Sequence, residues 1–310
     1  MAMIRVPLRD RCRGRWQGIL PALGIEPRYL NHKNGPCPLC PGGKDRWRFL
    51  DTNGVGSWIC THCGNGAGID LVMKFTGLPF REAAEQIEAA LGEVQPQARR
   101  PERSDDQIYA ALNSMWRNAS PVRYFDPADR WLRSRGIAFG NFPPDLRTAP
   151  RLRYYDATGI SYHPAMLAKV TAATDKPATI HRTYLTDTGG KAAVSSARKL
   201  FSGMPKGSAV RLSAPSPTLG VAEGIETALA AWILFGVPTW AAVCANGLAT
   251  FEPPDVVRRL LIFADNDANN AGQMAAAALT SRLSGRTQTE TIIPAKPGQD
   301  WNDVLLDGGR

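Results

Sequence analysis

Long apolar runs are missing from this chain: Gly, Pro or a charge interrupts every stretch before the roughly 18 residues of a membrane span. The first residues, MAMIRVPLRDRCRGRW, are basic but carry no apolar h-region and no small-residue cleavage site. Export is therefore not expected, and a cytoplasmic setting is. Cysteine is scarce, 6 in 310 residues, which excludes a disulfide scaffold built on most of its cysteines in a short secreted chain. The phosphate-binding pattern GxxxxGK(S/T) occurs nowhere. Gly42-Gly43-Lys44-Asp45 fails in spacing and lacks the hydroxyl, so no P-loop ATPase is expected. With 21% charged residues, 29 Gly and 24 Pro, the composition is too ordinary for a disordered or collagen-like chain.

What is present is unevenly charged. Within a net +9, residues 1–212 hold 31 Lys and Arg against 18 Asp and Glu, and residues 213–310 hold 6 against 10. A basic body attracts polyanions and releases their counterions, favouring a nucleic-acid partner over a membrane that nothing in the sequence would anchor.

The length suggests two or three domains. Residues 1–92 read as a basic arm, a CxxC region and helical patterns over Ile69–Phe75 and Phe80–Leu91, where Phe80, Ala83, Ala84, Ile87 and Leu91 recur at helical spacing. Residues 93–105, EVQPQARRPERSD, read as a linker. Residues 106–212 read as a mixed α+β unit, with helices at Ile108–Arg117 and Ala128–Arg135, the second starting at Asp126-Pro127. Short strands follow in LRYYD, PAMLAKV, TIHRTYL and AVRL, with a hairpin around Asp187–Gly190. Residues 213–310 alternate strand and helix, which predicts a mainly parallel sheet with helices on its faces. The fold class is thus multidomain α/β.

Cys37-x2-Cys40 and Cys60-x2-Cys63 have the spacing of a four-cysteine zinc site, within turns rich in Pro and Gly. Short strands at Asp45–Asp51 and Gly56–Ile59 would complete a zinc ribbon. Four thiolates leave no open coordination position, so zinc here is structural. His32 and His62 could each replace a cysteine, but read better as solvent-facing. Cys12 reads as a surface thiol and Cys244 as a buried small hydrophobe. On a strand, Arg46 and Arg48 share one face and Trp47 and Phe49 the other. The arginines are expected to contact phosphates. Trp47 either stacks on an unpaired base or fills the ribbon's core.

A second constellation is Glu223 in VAEGIETALA with Asp265 and Asp267 in LLIFADNDANNAGQMAAAAL. Both fall where an apolar strand meets a helix, the edge at which open α/β sheets place their sites. Oxygen ligands without Cys or His select a hard ion such as Mg2+ or Mn2+. Asp300 and Asp303 in GQDWNDVL could add ligands. Helix capping is the plain alternative for any one of these acids, but a poor reading of the whole pattern.

These residues carry a family resemblance. Residues 219–305 resemble a Toprim domain through Glu223-Gly224, Asp265-x-Asp267 with Ala271-Gly272, and Gly298-x-Asp300. Residues 31–91 resemble the zinc-ribbon domain of primases, from CPLCPGGKDRWRF through WICTHCGNGAGIDLVMKFTGLPFREAAEQI. Together they resemble a bacterial or phage-type DNA primase of the kind found in phages and mobile elements. Residues 93–212 match only loosely. The family's last acidic motif often runs Asp-Pro-Asp, where this chain has Asp300-Trp301-Asn302-Asp303.

The resemblance implies primer synthesis on single-stranded DNA from ribonucleoside triphosphates, with Asp265 and Asp267 as metal ligands, Glu223 as a further ligand or acid/base group, and Asp300 as a fourth acid. A replicative helicase is expected on a separate chain. Arg198, Lys199, Lys206 and Arg211 are expected to track template or nucleotide phosphates. His181-Arg182 reads as a core or surface pair rather than a nucleotide ligand, and Tyr154 and Tyr155 as strand packing. Two competing classes remain: a Toprim nuclease, and a non-catalytic zinc-dependent single-stranded DNA-binding or loading factor. A topoisomerase would need a tyrosine nucleophile in a separate large domain, for which there is no room.

Overall fold

The computed structural model describes residues 6–40, 43–92, 104–156, 159–267 and 270–308, so 93–103 of the expected linker lie outside the described residues. The chain divides into two compact units, residues 1–103 and 104–310.

The first unit runs α1 (Leu8–Arg11), α2 (Trp16–Ala22), β1 (Trp47–Phe49), β2 (Trp58–Cys60), β3 (Gly64–Gly66), α3 (Gly68–Thr76) and α4 (Phe80–Leu91), with the strands in an antiparallel sheet of order β1-β2-β3. The described part of the expected basic arm, from residue 6 on, contributes to the core. Arginines at 9, 11, 13 and 15 surround Cys12, in the turn between α1 and α2, and Trp16, Ile19 and Leu20 of α2, which are buried in one cluster with Trp47, Phe49, Trp58 and Leu71. Cys12 is therefore an interior thiol and not a surface one. In α4 the expected stripe buries Ala83, Ile87 and Leu91, while Phe80 at its start stays exposed. Trp16 sits where two glycines let the backbone close around it. A Cβ on Gly68 would lie 2.3 Å from the indole, and one on Gly56, which has φ +71°, would lie 2.6 Å from it.

The second unit runs α5 (Asp105–Arg117), β4 (Ser120–Pro121), α6 (Pro127–Ser134), β5 (Leu146–Asp156), β6 (Gly159–Thr171), β7 (Pro177–Tyr184), β8 (Arg198–Leu200), β9 (Ala209–Val210), β10 (Thr218–Ala222), α7 (Ile225–Phe235), β11 (Thr239–Ala241), α8 (Ala245–Thr250), β12 (Arg259–Phe263), α9 (Ala271–Leu283), β13 (Gln288–Ile292) and α10 (Trp301–Leu306). Both early helices start on side-chain caps: Ser104 accepts from the Gln107 amide, and Asp126 from the Asp129 amide with Pro127 following. Among the described residues ten strands form one sheet, with the path β13-β12-β10-β11-β9-β6-β5-β4 and β7 and β8 branching from β6. β11, β10, β12 and β13 pair in parallel, and the remainder in antiparallel fashion.

The two halves that the sequence separates at residue 212 share this sheet. Val210 in β9 pairs with Val170 on one side and Ala241 on the other, and one apolar cluster runs from Val122 and Trp131 through Leu229 to Phe263 and Trp301. The expected turn at 187–190 does form, closed by the Thr186 amide on the Gly190 carbonyl (2.8 Å) and a Leu185–Lys191 bridge. The strand that returns beside β7 is β8, where Thr183 pairs with Arg198 and not with Ala193, the partner that the Leu185–Lys191 bridge would set. Asn246-Gly247, a pair common in turns, lies inside α8. No described helix is long and apolar enough to cross a membrane.

A Gly68→Ala substitution should overpack the Trp16 contact and destabilise the first unit by roughly 1–3 kcal/mol. A lowered thermal midpoint for that unit's transition is the expected reading.

Candidate active site and zinc centre

In the first unit the two CxxC turns bring four sulfurs together, all within 4.8 Å of one another. Zinc bonded tetrahedrally to thiolates at about 2.3 Å sets its sulfurs about 3.8 Å apart. Cys37 and Cys63 Sγ are 3.8 Å apart, and Cys40 and Cys60 Sγ 3.9 Å. Backbone amides of Leu39, His62 and Cys63 donate to the Cys37 and Cys60 sulfurs at 3.3–3.4 Å. Burial pushes the Cys37 thiol up to about 12 and raises Cys63 as well, while at Cys40 burial is outweighed by hydrogen bonds from Cys63, Cys37 and Arg46, which lower it; a cation among the sulfurs is what would favour the thiolates of Cys37 and Cys63. The donor set fits zinc. Neither His32 nor His62 belongs to it: His32 packs its ring 5.6 Å from Phe49 and meets the Gln17 amide.

The ribbon's own residues differ from the nucleic-acid reading. Trp47 is 1% exposed, stacks on Trp58 at 5.2 Å and donates its indole N–H to the Tyr29 carbonyl (2.8 Å). It is core, closed in by Trp58 and by the turn at Pro27–Leu30, and it offers no surface to a base. Arg46 Nη1 lies 3.9 Å from Cys40 Sγ, where its charge offsets the thiolates. Arg48 stays on the outer face, with Nε donating to the His32 carbonyl at 2.9 Å.

In the second unit, parallel pairing builds the other site. Ala222 of β10 registers with Phe263 of β12, so Glu223 leaves the sheet beside Ala264, and Asp265 follows one residue on. Asn266 anchors this segment: its amide donates to the Gln299 carbonyl (3.0 Å), its side chain to the Pro294 carbonyl (2.9 Å), and Gln273 donates to its Oδ1 (3.1 Å). Gly272 lets α9 approach, since a Cβ there would stand 3.3 Å from the Asp265 amide nitrogen.

Burial, followed by the charges of Asp300, Glu223, Asp267 and Asp303, pushes Asp265 up to about 8. Burial and Asp267 raise Glu223, against an Ala245 amide that donates to it and the charge of Arg198. Glu223, Asp265 and Asp267 thus face one another at electrostatic range. They do not crowd as the thiols do: among the described residues no three carboxylates bring their oxygens within 4.8 Å of one another. Asp265 Oδ1 is buried and accepts no hydrogen bond. An orphaned carboxylate oxygen amid like charges fits a divalent cation. Asp300 caps α10, its Oδ1 accepting from the Asp303 amide (2.8 Å), with Arg135 Nη2 4.0 Å from its Oδ2.

A basic rim adjoins the acids. Arg198 Nη2 lies 2.9 Å from Glu226 Oε1, which also accepts from the Trp131 indole N–H (3.0 Å). Arg135 and Lys191 stand over the same Trp131 ring, at 5.7 Å and 5.6 Å. Burial and the charge of Arg198 lower Lys191. Arg135, Lys191, Trp131 and Glu226 escaped the sequence reading. The one visible signal was Glu226, an acid at the second position of the apolar run IETALAAWILF, where burial demands partners.

The other expected phosphate-tracking residues divide. Lys199 Nζ donates to the Tyr155 carbonyl (3.0 Å) and lies 3.8 Å from the Tyr154 ring centroid. Lys206 is exposed. Arg211 is structural: it pairs with Asp175 (2.5 Å), donates to the Ala172 carbonyl (3.0 Å) and lies 4.9 Å from the Trp240 ring centroid. Arg211 is held there because it follows β9 at the joint of the two half-sheets.

Residues 32–69 match the zinc-binding domain of primase-helicase, residues 218–310 the Toprim domain, and residues 107–212 a domain of unknown function (DUF7146). Among solved structures, the zinc-binding and RNA polymerase domains of the Aquifex aeolicus primase share 16% identity at TM-score 0.44, over 98% of this chain and 83% of that one. The primase fragment of the bacteriophage T7 primase-helicase shares 14% at TM-score 0.40, over 89% and 95%. A DNA primase domain from Pseudomonas aeruginosa shares 12% at TM-score 0.44, over 64% and 74%.

His181 lies buried in β7 with no partner on Nδ1, and burial lowers its pKa to about 4. In the unfolded chain it titrates near 6.5. Below that value the unfolded state gains a proton that the folded state refuses, so stability falls as pH drops from about 6.5 to about 4. His181→Gln should flatten that limb by roughly 3 kcal/mol, read from urea denaturation across the interval.

Proposed function

We propose that this chain, whose zinc ribbon and Toprim domain are those of a DnaG-type primase, makes short RNA primers on a single-stranded DNA template. The observation that carries the reading is the buried, unpartnered Asp265 Oδ1 facing Glu223 and Asp267 at the carboxyl edge of a parallel sheet. In primer synthesis a 3′-hydroxyl attacks the α-phosphorus of a nucleoside triphosphate, one P–O bond forms as another breaks, and pyrophosphate leaves with the displaced charge.

Asp265, Asp267 and Glu223 would hold Mg2+ or Mn2+. When bound, such an ion lowers the hydroxyl's pKa and offsets charge on the reacting phosphate. Glu223, raised by burial and held by the Ala245 amide, would serve as a further ligand or, if not bound to the ion, as the group that takes the hydroxyl proton. Asp300, engaged at the start of α10, contributes its charge from the rim. Arg198, Lys191 and Arg135 form the basic rim that receives the triphosphate, positioned by Trp131 and Glu226. Lys199 and Lys206 add positive charge towards template or nucleotide. The four-cysteine zinc centre stabilises the ribbon and takes no part in the chemistry. A replicative helicase is the partner that this reading calls for.

Incubation of the purified chain with single-stranded DNA, ribonucleotides and Mg2+ should give template-dependent RNA. Asp265→Ala or Glu223→Ala should lower the yield by about a hundredfold or more without lowering the thermal midpoint. Undiminished synthesis by both variants would remove the carboxylates from the mechanism. Cleavage of labelled single-stranded DNA without nucleotides would favour a nuclease instead.

A further inference from the structure

The outer end of the β5–β6 hairpin extends past its neighbours. β5 and β6 pair from Leu146 with Ala168 out to Asp156 with Gly159, whereas β4 reaches only Arg147 and Thr148, and β7 joins β6 only from Ala165 inward. Residues 152–156 and 159–163 therefore form a two-stranded ribbon. One face is closed: Tyr154 is buried edge-on to His163 and Tyr184, and Asp156 accepts from Ser195 Oγ at 2.9 Å. The opposite face carries Arg151, Arg153, Tyr155, Ile160 and Tyr162, and its three apolar-bodied residues are 64%, 54% and 51% exposed.

Cations and rings interleave on that face. Arg153 registers across from Tyr162 and Tyr155 across from Ile160, while the Arg151 guanidinium lies 4.6 Å from the Tyr162 ring centroid. Strand alternation puts Asp156 on the closed side, leaving the outer face without a carboxylate. One exposed aromatic needs no explanation. Two tyrosines and a guanidinium plane set between positive charges are the chemistry of a base-stacking platform along a phosphate chain.

We propose that this ribbon face binds single-stranded DNA, with bases stacked on Tyr155 and Tyr162 and phosphates held by Arg151 and Arg153. A second copy of the chain would set Arg151 and Arg153 against their own like charges. A duplex keeps its bases stacked on one another and leaves the tyrosines nothing to take. DNA is named over RNA because the proposed reaction takes a DNA template, and an RNA strand is an outcome of the test. The inference extends the primase reading by naming a template surface, but it rests on the ribbon's own side chains and not on the carboxylate site.

The test is fluorescence anisotropy of the full chain with a labelled oligothymidylate in chelator, without nucleotides. Tyr155→Ala and Tyr162→Ala should each weaken binding about tenfold, while Tyr155→Phe and Tyr162→Phe retain it. Arg153→Gln should reduce the slope of log affinity against log salt by about 0.7. Unchanged melting of these surface variants would confirm that the fold is intact. The proposal is overturned if the alanine variants bind like the unsubstituted chain, if they lose a blunt duplex equally, or if an oligouridylate binds more tightly through the same tyrosines. Failure of the unsubstituted chain to make primers would sink the primase reading alone, because binding is read without nucleotides.

Discussion

Carboxylates gathered at the ends of neighbouring parallel strands repel one another, and the second unit is arranged around holding them there. The constraint begins with pairing: β10 and β12 are adjacent and parallel, so the residues that follow them emerge at one edge. Neither acid-bearing segment is free to turn away. Asn266 ties the Asp265–Asp267 stretch to the loop before α10, and Gly272 lets α9 press against the Asp265 backbone. Rigidity of this kind keeps Asp265 half-buried among like charges, with its proton affinity raised to about 8. A divalent cation is the natural complement of such an arrangement.

The positive charges beside the acids are held by an equally specific device. Glu226, buried in the first turn of α7, accepts from Trp131 in α6 and pairs with Arg198 in β8, so three elements meet at one carboxylate. Trp131 then serves as the platform for Arg135 and Lys191. Such a network is possible only because the antiparallel and parallel halves form one continuous sheet through β9. Acidic and basic edges of the site come from different halves, and neither half contains the full set.

Much of this was legible in the sequence. The CxxC spacing anticipated the four-sulfur cluster, since two tight turns facing one another leave few other arrangements, and the strand–acid–helix pattern anticipated that Glu223 and the Asp265–Asp267 stretch follow neighbouring strands at one sheet edge. What could not be read were properties of the third dimension. The arginine-dense start hid a core stripe, because charge count masks periodicity when cations occupy the intervening positions. Trp47 and Arg211 read as candidates for nucleic acid, yet Trp47 is stacked on Trp58 and Arg211 is locked between Asp175, the Ala172 carbonyl and Trp240. Arg135 and Lys191 lie far from Glu226 in sequence, and nothing local marks them as its neighbours.

The carboxylate site is tested most directly by diffraction from crystals of the chain soaked in Mn2+ and measured at the manganese absorption edge. An anomalous peak bonded to Asp265 Oδ1 and shared with Asp267 or Glu223 is the expected result. Side chains that diverge with no peak between them, or manganese bound only elsewhere, would contradict the convergence on which the functional reading stands.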